Sequence, residues 1–274
     1  MAADGAVVLM RWPGGAVVML APAVVLAGCG GGGGGGKSLS PGQIESAAQK
    51  TSSVGSLKAN FTISGAGLRS SGSGVFNNGQ DTSGRLTMTV DSNGRRFTVD
   101  TVSAGNVLYM RSTALSQLGL PKGKQWLKLD LGQLARQRGI DLGGLQSTSP
   151  NPASALAYLL GSGKVQKLGN DAVQGVDTTH YKVTVDLGRA ATEASGSVRQ
   201  SLRSALKASG SARQPVEVWV DDNGYVRKVA YKAGTSGAPA STITMELHDF
   251  GPHVTITPPP SSSVVDFMNA LQGG

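Results

Sequence analysis

The residue whose surroundings commit it to a definite chemistry is Cys29, the only cysteine in the chain. It follows Leu26-Ala27-Gly28 at the end of an uncharged run, Ala16 to Ala27, and precedes the glycines Gly30 to Gly36. An apolar stretch closed by small residues and then a cysteine is the arrangement in which a thiol is acylated and the chain is cut on its N-terminal side. The pattern predicts cleavage after Gly28 and a diacylglyceryl group, built from chains such as palmitate, on the sulfur of Cys29. The run is short for a membrane-spanning helix, which needs about 20 apolar residues, and fits the roughly 7 to 15 of a signal-peptide core. Pro22 and the flanking glycines also argue against an uncleaved anchor. Arg11 is the only basic residue ahead of the run, and Met10 offers a second start beside Met1. A single thiol has no partner for an internal disulfide. Two acyl chains suffice for stable anchoring, at about 0.8 kcal/mol per buried methylene.

No other motif supports bond-making chemistry. Gly31 through Ser38, GGGGGGKS, fits the phosphate-loop pattern G-x-x-x-x-G-K-[ST]. That loop works only between a strand and a helix, whose N-terminal N–H groups face the phosphate; here it is a glycine homopolymer beside a lysine. Ser204-Ala205-Leu206-Lys207 fits the S-x-x-K of serine acyl enzymes, but no S-D-N or K-T-G accompanies it. His248 and His253 flank a Gly-Pro break, His180 lies on the polar side of its strand, and no cysteine cluster completes a zinc set. Asp221-Asp222-Asn223 opens like a calcium loop without completing one, and a hairpin turn accounts for it. The reading is therefore of a protein that is not an enzyme, with no catalytic residue, no metal site and no cofactor.

Composition narrows the partners. The formal net charge is +8, with 39% hydrophobic and only 5% aromatic residues. A core must be built from aliphatic side chains. A basic, membrane-tethered protein is drawn to anionic headgroups, by about 1 kcal/mol per Lys or Arg near the surface. Nucleic acid is the other partner such a balance suits, and an exported protein has little access to it. We expect none.

The elements that would position a site follow from hydrophobic period. Ser40, Pro41 and Gln43 form a capping box with proline at the first helical position, ahead of Ile44, Ala47 and Ala48. The period then becomes two. Leu57, Ala59, Phe61 and Ile63 alternate with polar residues, as do Leu86, Met88 and Val90, then Phe97 and Val99, Leu108 and Met110, and Leu127, Leu129 and Leu131. Asn78-Gly79 and Asn93-Gly94 are hairpin signals. Asn151-Pro152 opens a helix carrying Ala155, Leu156, Leu159 and Leu160. Strand patterns resume at Tyr181 to Leu187, Val216 to Val220, Tyr225 to Lys232 and Ile243 to Leu247. One helix is expected over Arg189 to Ala208, with an apolar stripe of Val198, Leu202 and Leu206 beside a basic stripe of Arg199, Arg203 and Lys207. Val264 to Leu271 reads as a short docking helix.

Roughly ten amphipathic strands and about three helices give an α+β chain with a mostly antiparallel sheet. So long a sheet tends to curl, and few helices would cover its apolar face incompletely. A closed sandwich or barrel with no cavity would bury the same face, and periodicity alone does not separate the two.

Two stretches add a resemblance. Gly175-Val176-Asp177-Thr178-Thr179-His180-Tyr181, followed by VTVDL after Lys182, resembles the G-x-x-T-x-H-Y strand entry of actinobacterial lipoproteins of the LppX/LprG type. Pro215 to Tyr231, PVEVWVDDNGYVRKVAY, resembles their Trp-containing hairpin, which recurs in the wider LolA-like superfamily. With the acylation signal, the capped first helix and the first strand LKANFTI, the resemblance covers most of residues 40 to 250. It implies a single, strongly curved antiparallel sheet, a half-barrel of about ten strands, with a few helices across its concave face. It also implies a hydrophobic cavity for acyl chains between them.

The expected organisation is a lipoprotein signal peptide (1–28), the lipidated cysteine with a glycine-rich tether (29–39), a lipid-binding domain (40–257), and a Pro/Ser linker with C-terminal tail (258–274). The expected cavity residues are Phe61, Ile63, Met88, Val99, Leu108 and Met110 on the strands and Leu156, Leu159 and Leu160 on the facing helix. The protein would be a monomer on the outer face of the cytoplasmic membrane. It would carry or present a lipid or glycolipid in the envelope, with an envelope lipid exporter or acceptor as a further partner. The alternatives are a sensor or protein-interaction module on the same fold with no bound lipid, and a hydrolase whose Ser or His the sequence does not reveal.

Overall fold

The computed structural model describes residues 38–65, 67–78, 83–92, 94–114, 120–138, 152–194, 196–233 and 240–267. Leu26, Ala27, Gly28 and Cys29 lie outside the described residues, as does Asn151. No helix among those described is long and apolar enough to cross a membrane.

Twelve strands form one open sheet: β1 (Ser56–Gly65), β2 (Leu68–Asn77), β3 (Ser83–Ser92), β4 (Arg95–Ala104), β5 (Val107–Ser112), β6 (Trp126–Asp130), β7 (Ser162–Val173), β8 (Val176–Asp186), β9 (Arg213–Asp221), β10 (Val226–Ala233), β11 (Ser241–Gly251) and β12 (Val264–Asp266). The spatial order is β12-β6-β5-β4-β3-β2-β1-β11-β10-β9-β8-β7. Two antiparallel meanders, β1 to β6 and β7 to β11, are thus joined where β1 pairs with β11. This is the half-barrel architecture implied by the resemblance, and it excludes the closed barrel.

Three of the twelve strands escape a reading by alternation. β2, LRSSGSGVFN, presents Gly72 and Gly74 where a strand would show apolar side chains. A Cβ at Gly72 would stand 2.2 Å from the Thr87 carbonyl oxygen and 2.8 Å from Met88 Cγ; one at Gly74 would stand 2.8 Å from the Phe76 ring. The glycines let Met88 and Phe76 lie across β2, and that close approach replaces the missing alternation. β7 is an edge strand whose register shifts twice against β8, so its period is broken. β12 is three residues long: Val264–Asp266, expected as the start of a C-terminal helix, are strand, while 268–271 of that expectation lie outside the described residues. Val264, Val265 and Asp266 pair in parallel with Trp126, Leu127 and Lys128, the one parallel pairing among the described strands.

The chain reaches β12 along a strap over the outer face. Ser56 donates to the Pro252 carbonyl at 2.6 Å. Asn77 donates to the Val254 carbonyl and accepts its N–H, at 2.6 and 2.9 Å. Arg85 donates to the Thr257 carbonyl at 3.3 Å.

Helices occupy the apolar face. α1 (Pro41–Ser52) has the expected capping box of Ser40 and Gln43. α2 (Leu131–Arg138) follows β6, and α3 (Pro152–Tyr158) runs into a 3-10 turn, Leu159–Gly161. The single helix expected over 189–208 is two: α4 (Leu187–Glu193), capped by Asp186, and α5 (Gly196–Ser209). Ala194 is extended, and Gly196 has φ +54, a left-handed conformation that glycine adopts without steric cost. That glycine was the break signal inside an otherwise helical pattern.

The main core gathers Ile44, Ala47 and Ala48 of α1 and Ala155, Leu156 and Leu159 of the α3 segment against Leu57, Phe61, Tyr181, Val183, Val218, Val229, Met245 and Leu247 of the sheet. A second cluster of Ala157, Ala190, Ala191, Ala194 and Leu202 joins α3, α4 and α5. Among the described residues, those of both clusters lie within 39–250, so the chain from residue 38 holds both cores.

The end of α1 is pinned to the β9–β10 hairpin. Thr51 Oγ1 donates to the Ala47 carbonyl at 2.8 Å and accepts the buried Val226 N–H at 2.8 Å. Lys50 donates to the Asn223 carbonyl at 2.5 Å and lies over the Tyr225 ring. Arg189 links α4 to Glu45 of α1 and to the Ser162 carbonyl.

Candidate functional site

Cross-strand register sorts the inner face into rows. One row runs Tyr181, Val218, Val229, Met245, Phe61, Gly72, Met88, Val99 from β8 to β4. Its side chains are sealed as far as Met88: Val218 and Val229 are 0% exposed, Phe61 and Met245 1%, Met88 8%. The next row, two residues along each strand, runs Val183, Val216, Tyr231, Ile243, Ile63, Ser70, Val90, Phe97. Here Val183 and Val216 are buried, but Tyr231, Ile243, Ile63, Val90 and Phe97 are only half-buried. The apolar surface continues across β4, β5 and β6 through Val99, Leu108, Met110, Leu127 and Leu129, all half-buried and all on the same face. A sealed row thus lies beside one whose apolar side chains are only half-buried from Tyr231 to Phe97.

The expected cavity residues divide along that line. Phe61, Met88, Leu156 and Leu159 are sealed in the main core, and Ile63 packs at its margin. Val99, Leu108 and Met110 stand outside both buried clusters, on the open part of the face. Leu160 packs with α4 and α5 in the second cluster instead of facing the strands. Sequence reasoning left out Tyr158, Val90, Phe97 and Tyr231, although the last three follow the same alternation as their neighbours.

Tyr158 and Tyr231 stack at one end of the open row, ring centroids 5.0 Å apart and 31° between planes. Burial pushes both phenols above their ordinary range, and for Tyr231 the neighbouring Tyr158 adds to it. Both therefore stay neutral at physiological pH. Phe76 meets Phe61 edge-on at 5.7 Å.

The outer face is polar along the row offset by one residue: His180, Trp219, Lys228, Glu246, Asn60, Ser73, Thr87, Asp100 and Arg111. Arg111 donates to Asp100 at 2.7 Å and Thr87 donates at 2.8 Å. Burial alone would raise the Asp100 carboxyl; these hydrogen bonds and the charges of Arg111 and Arg85 hold it below the usual range. Trp219 is 6% exposed although it lies on this wetter side, because His180 and Lys228 cover its two sides. Trp126 lies beneath Arg111. Among the described residues no group of His, Cys, Asp and Glu has the arrangement of a metal site.

Comparison with known proteins bears on this architecture. LprF from Mycobacterium bovis superposes with a TM-score of 0.50 at 12% identity, over 81% of this chain and 97% of that one. The chain has the LprF fold. LppX from Mycobacterium tuberculosis aligns over 79% of this chain and 97% of its own, with a TM-score of 0.48 at 14% identity. No family model matches. In sequence, an uncharacterized 31.2 kDa protein of Streptomyces griseus is 31% identical over 158 residues, 56% of this chain and 51% of its own. A lipoprotein candidate of Streptomyces coelicolor is 28% identical over 154 residues, 54% of this chain and 45% of its own. The chain spans about half the length of these curated relatives. It is thus similar in fold and in sequence to actinobacterial lipoproteins, as the two motif stretches implied.

Proposed function

We propose that this protein is a membrane-tethered, non-catalytic carrier that holds the acyl chains of a lipid or glycolipid on the open part of its inner face. The observation that carries the reading is the half-buried apolar surface from Ile243 and Ile63 through Phe97 and Val99 to Met110, beside a fully sealed core row. Each methylene laid on such a surface is stabilised by about 0.8 kcal/mol, so a fatty chain gains far more there than a polar solute. Chain transfer needs no bond-making residue, consistent with the sequence motifs. Similarity to lipoproteins supports the tether at Cys29, and with it removal of residues 1–28 and a place on the outer face of the cytoplasmic membrane.

The test is native mass spectrometry of residues 38 to 274, produced in an actinobacterial envelope and purified without detergent. A discrete added mass that organic extraction removes, and that fragments as a lipid, is the expected result. A bare protein that takes up no fluorescent fatty acid would overturn the carrier reading and favour a sensor or protein-interaction module. Cys29→Ser tests the anchor separately: the substituted chain is expected to leave the membrane fraction.

A further inference from the structure

The outward face of α5 carries Arg199, Arg203 and Lys207, all exposed and spaced four residues apart on one side of the helix. Its inward face is already used: Leu202 is 1% exposed in the second cluster, and Val198 and Leu206 pack on the two cores. Some exposed cations elsewhere meet acids, as in Lys58 with Asp249, Arg96 with Asp91 and Arg111 with Asp100; α5 sets three beside one another on one face. Between Glu193 and Glu217 the chain holds no Asp or Glu at all. Among the described residues no ion pair involves the three α5 cations; Arg199 donates Nε to the Ala194 carbonyl at 2.7 Å, which fixes its stem. Unneutralised charge on one helical face, on a chain of net charge +8, is complementary to an anionic surface.

We propose that α5 is the face this protein lays on an anionic lipid bilayer, with Arg199, Arg203 and Lys207 contacting lipid phosphates. The inference deepens the carrier reading and rests on it for its purpose. About eleven residues separate Cys29 from Ser40, which at full extension reach roughly 40 Å, so a tethered domain samples the bilayer surface continually. Tyr158, at the end of the open apolar row, packs against both clusters and so lies beside the helices that α5 belongs to. Laying α5 on the headgroups brings that end of the row toward the bilayer and shortens the aqueous path of an acyl chain.

The experiment is co-sedimentation of residues 38 to 274 with phosphatidylglycerol vesicles and with phosphatidylcholine vesicles across a salt series. Binding to the anionic vesicles alone, weakening as salt rises, is expected. Arg199→Gln, Arg203→Gln and Lys207→Gln together should bind about 100-fold more weakly, from about 1 kcal/mol per cation and 1.4 kcal/mol per tenfold. A control that removes equal charge from the sheet, Arg69→Gln with Lys164→Gln and Lys182→Gln, should bind like the parent. Arg203→Glu is a second, single-site variant, and circular dichroism checks that each is folded. Absence of binding to anionic vesicles at low salt, or an equal loss in both triple variants, would overturn the proposal. Fatty-acid uptake without vesicles reads the carrier function separately, and the α5 variants should retain it.

Discussion

His180 and Trp219 are directly opposed on β8 and β9, and their rings stack at 3.9 Å with 8° between planes. The imidazole Nε2 lies 3.0 Å from Glu217, the indole N–H donates to Asp171 at 3.2 Å, and Lys228 sits 4.8 Å over the indole from the next strand. These are the His and Trp of the two stretches that carried the family resemblance. The two motifs are thus the halves of one cross-strand unit that binds β7, β8, β9 and β10 together on the outer face.

The stack is expected to be worth about 0.5–1.5 kcal/mol beyond its burial. A double-mutant cycle of His180→Ala and Trp219→Leu, measured by urea unfolding, should give a coupling energy in that range. A coupling near zero would mean that the rings merely lie adjacent.

Thr51 should be a stability hinge between α1 and the sheet. Thr51→Val keeps the shape but leaves the buried Val226 N–H without its acceptor, at a cost of about 1–3 kcal/mol. Thermal unfolding should shift down by several degrees, while Thr51→Ser, which keeps the hydroxyl, should stay near the parent.

The open row and the sealed row should respond oppositely to substitution. Met110→Trp or Val99→Trp fills half-buried surface, and is expected to cut fluorescent fatty-acid uptake about tenfold with little change in stability. Met245→Ala, in the sealed row, should cost about 2–5 kcal/mol. Uptake unaffected by either tryptophan would remove this face as the site.

Alkaline pH should destabilise the fold through its phenols. Burial raises Tyr158, Tyr181 and Tyr231 above their ordinary pKa of 10.0. A raised native pKa means the stabilisation is complete below the unfolded value and is lost as pH climbs from there toward the native one. Stability should therefore fall from about pH 10 upward. Tyr231→Phe should flatten that fall, as read from urea midpoints across the alkaline range.

Much of the architecture is legible in particular residues. The box of Ser40 and Gln43 marks the start of α1, and the alternation through Phe61, Met88 and Val99 identifies strands and puts those three on one face, as the register shows. Such signals are local, because a strand's period and a helix cap depend only on near neighbours. β2 was hidden because its packing depends on Met88 of β3 lying across Gly72, a contact that exists only once β3 is in place. β12 was hidden because its partner, β6, is more than a hundred residues away.

The candidate site shows the same division. By itself the sequence determined that Cys29 follows an uncharged apolar run closed by small residues, that the chain is basic, and that its strands have one apolar face. Whether an apolar residue on that face is core or lining was decided by tertiary structure alone. Met88 and Val99 follow the same pattern and are paired across β3 and β4, yet one is sealed and the other half-buried. The physical reason is cover: Met88 belongs to the main core cluster that includes α1 and the α3 segment, whereas Val99 stands outside both clusters, and membership of a core is fixed by packing between distant segments, which periodicity does not encode.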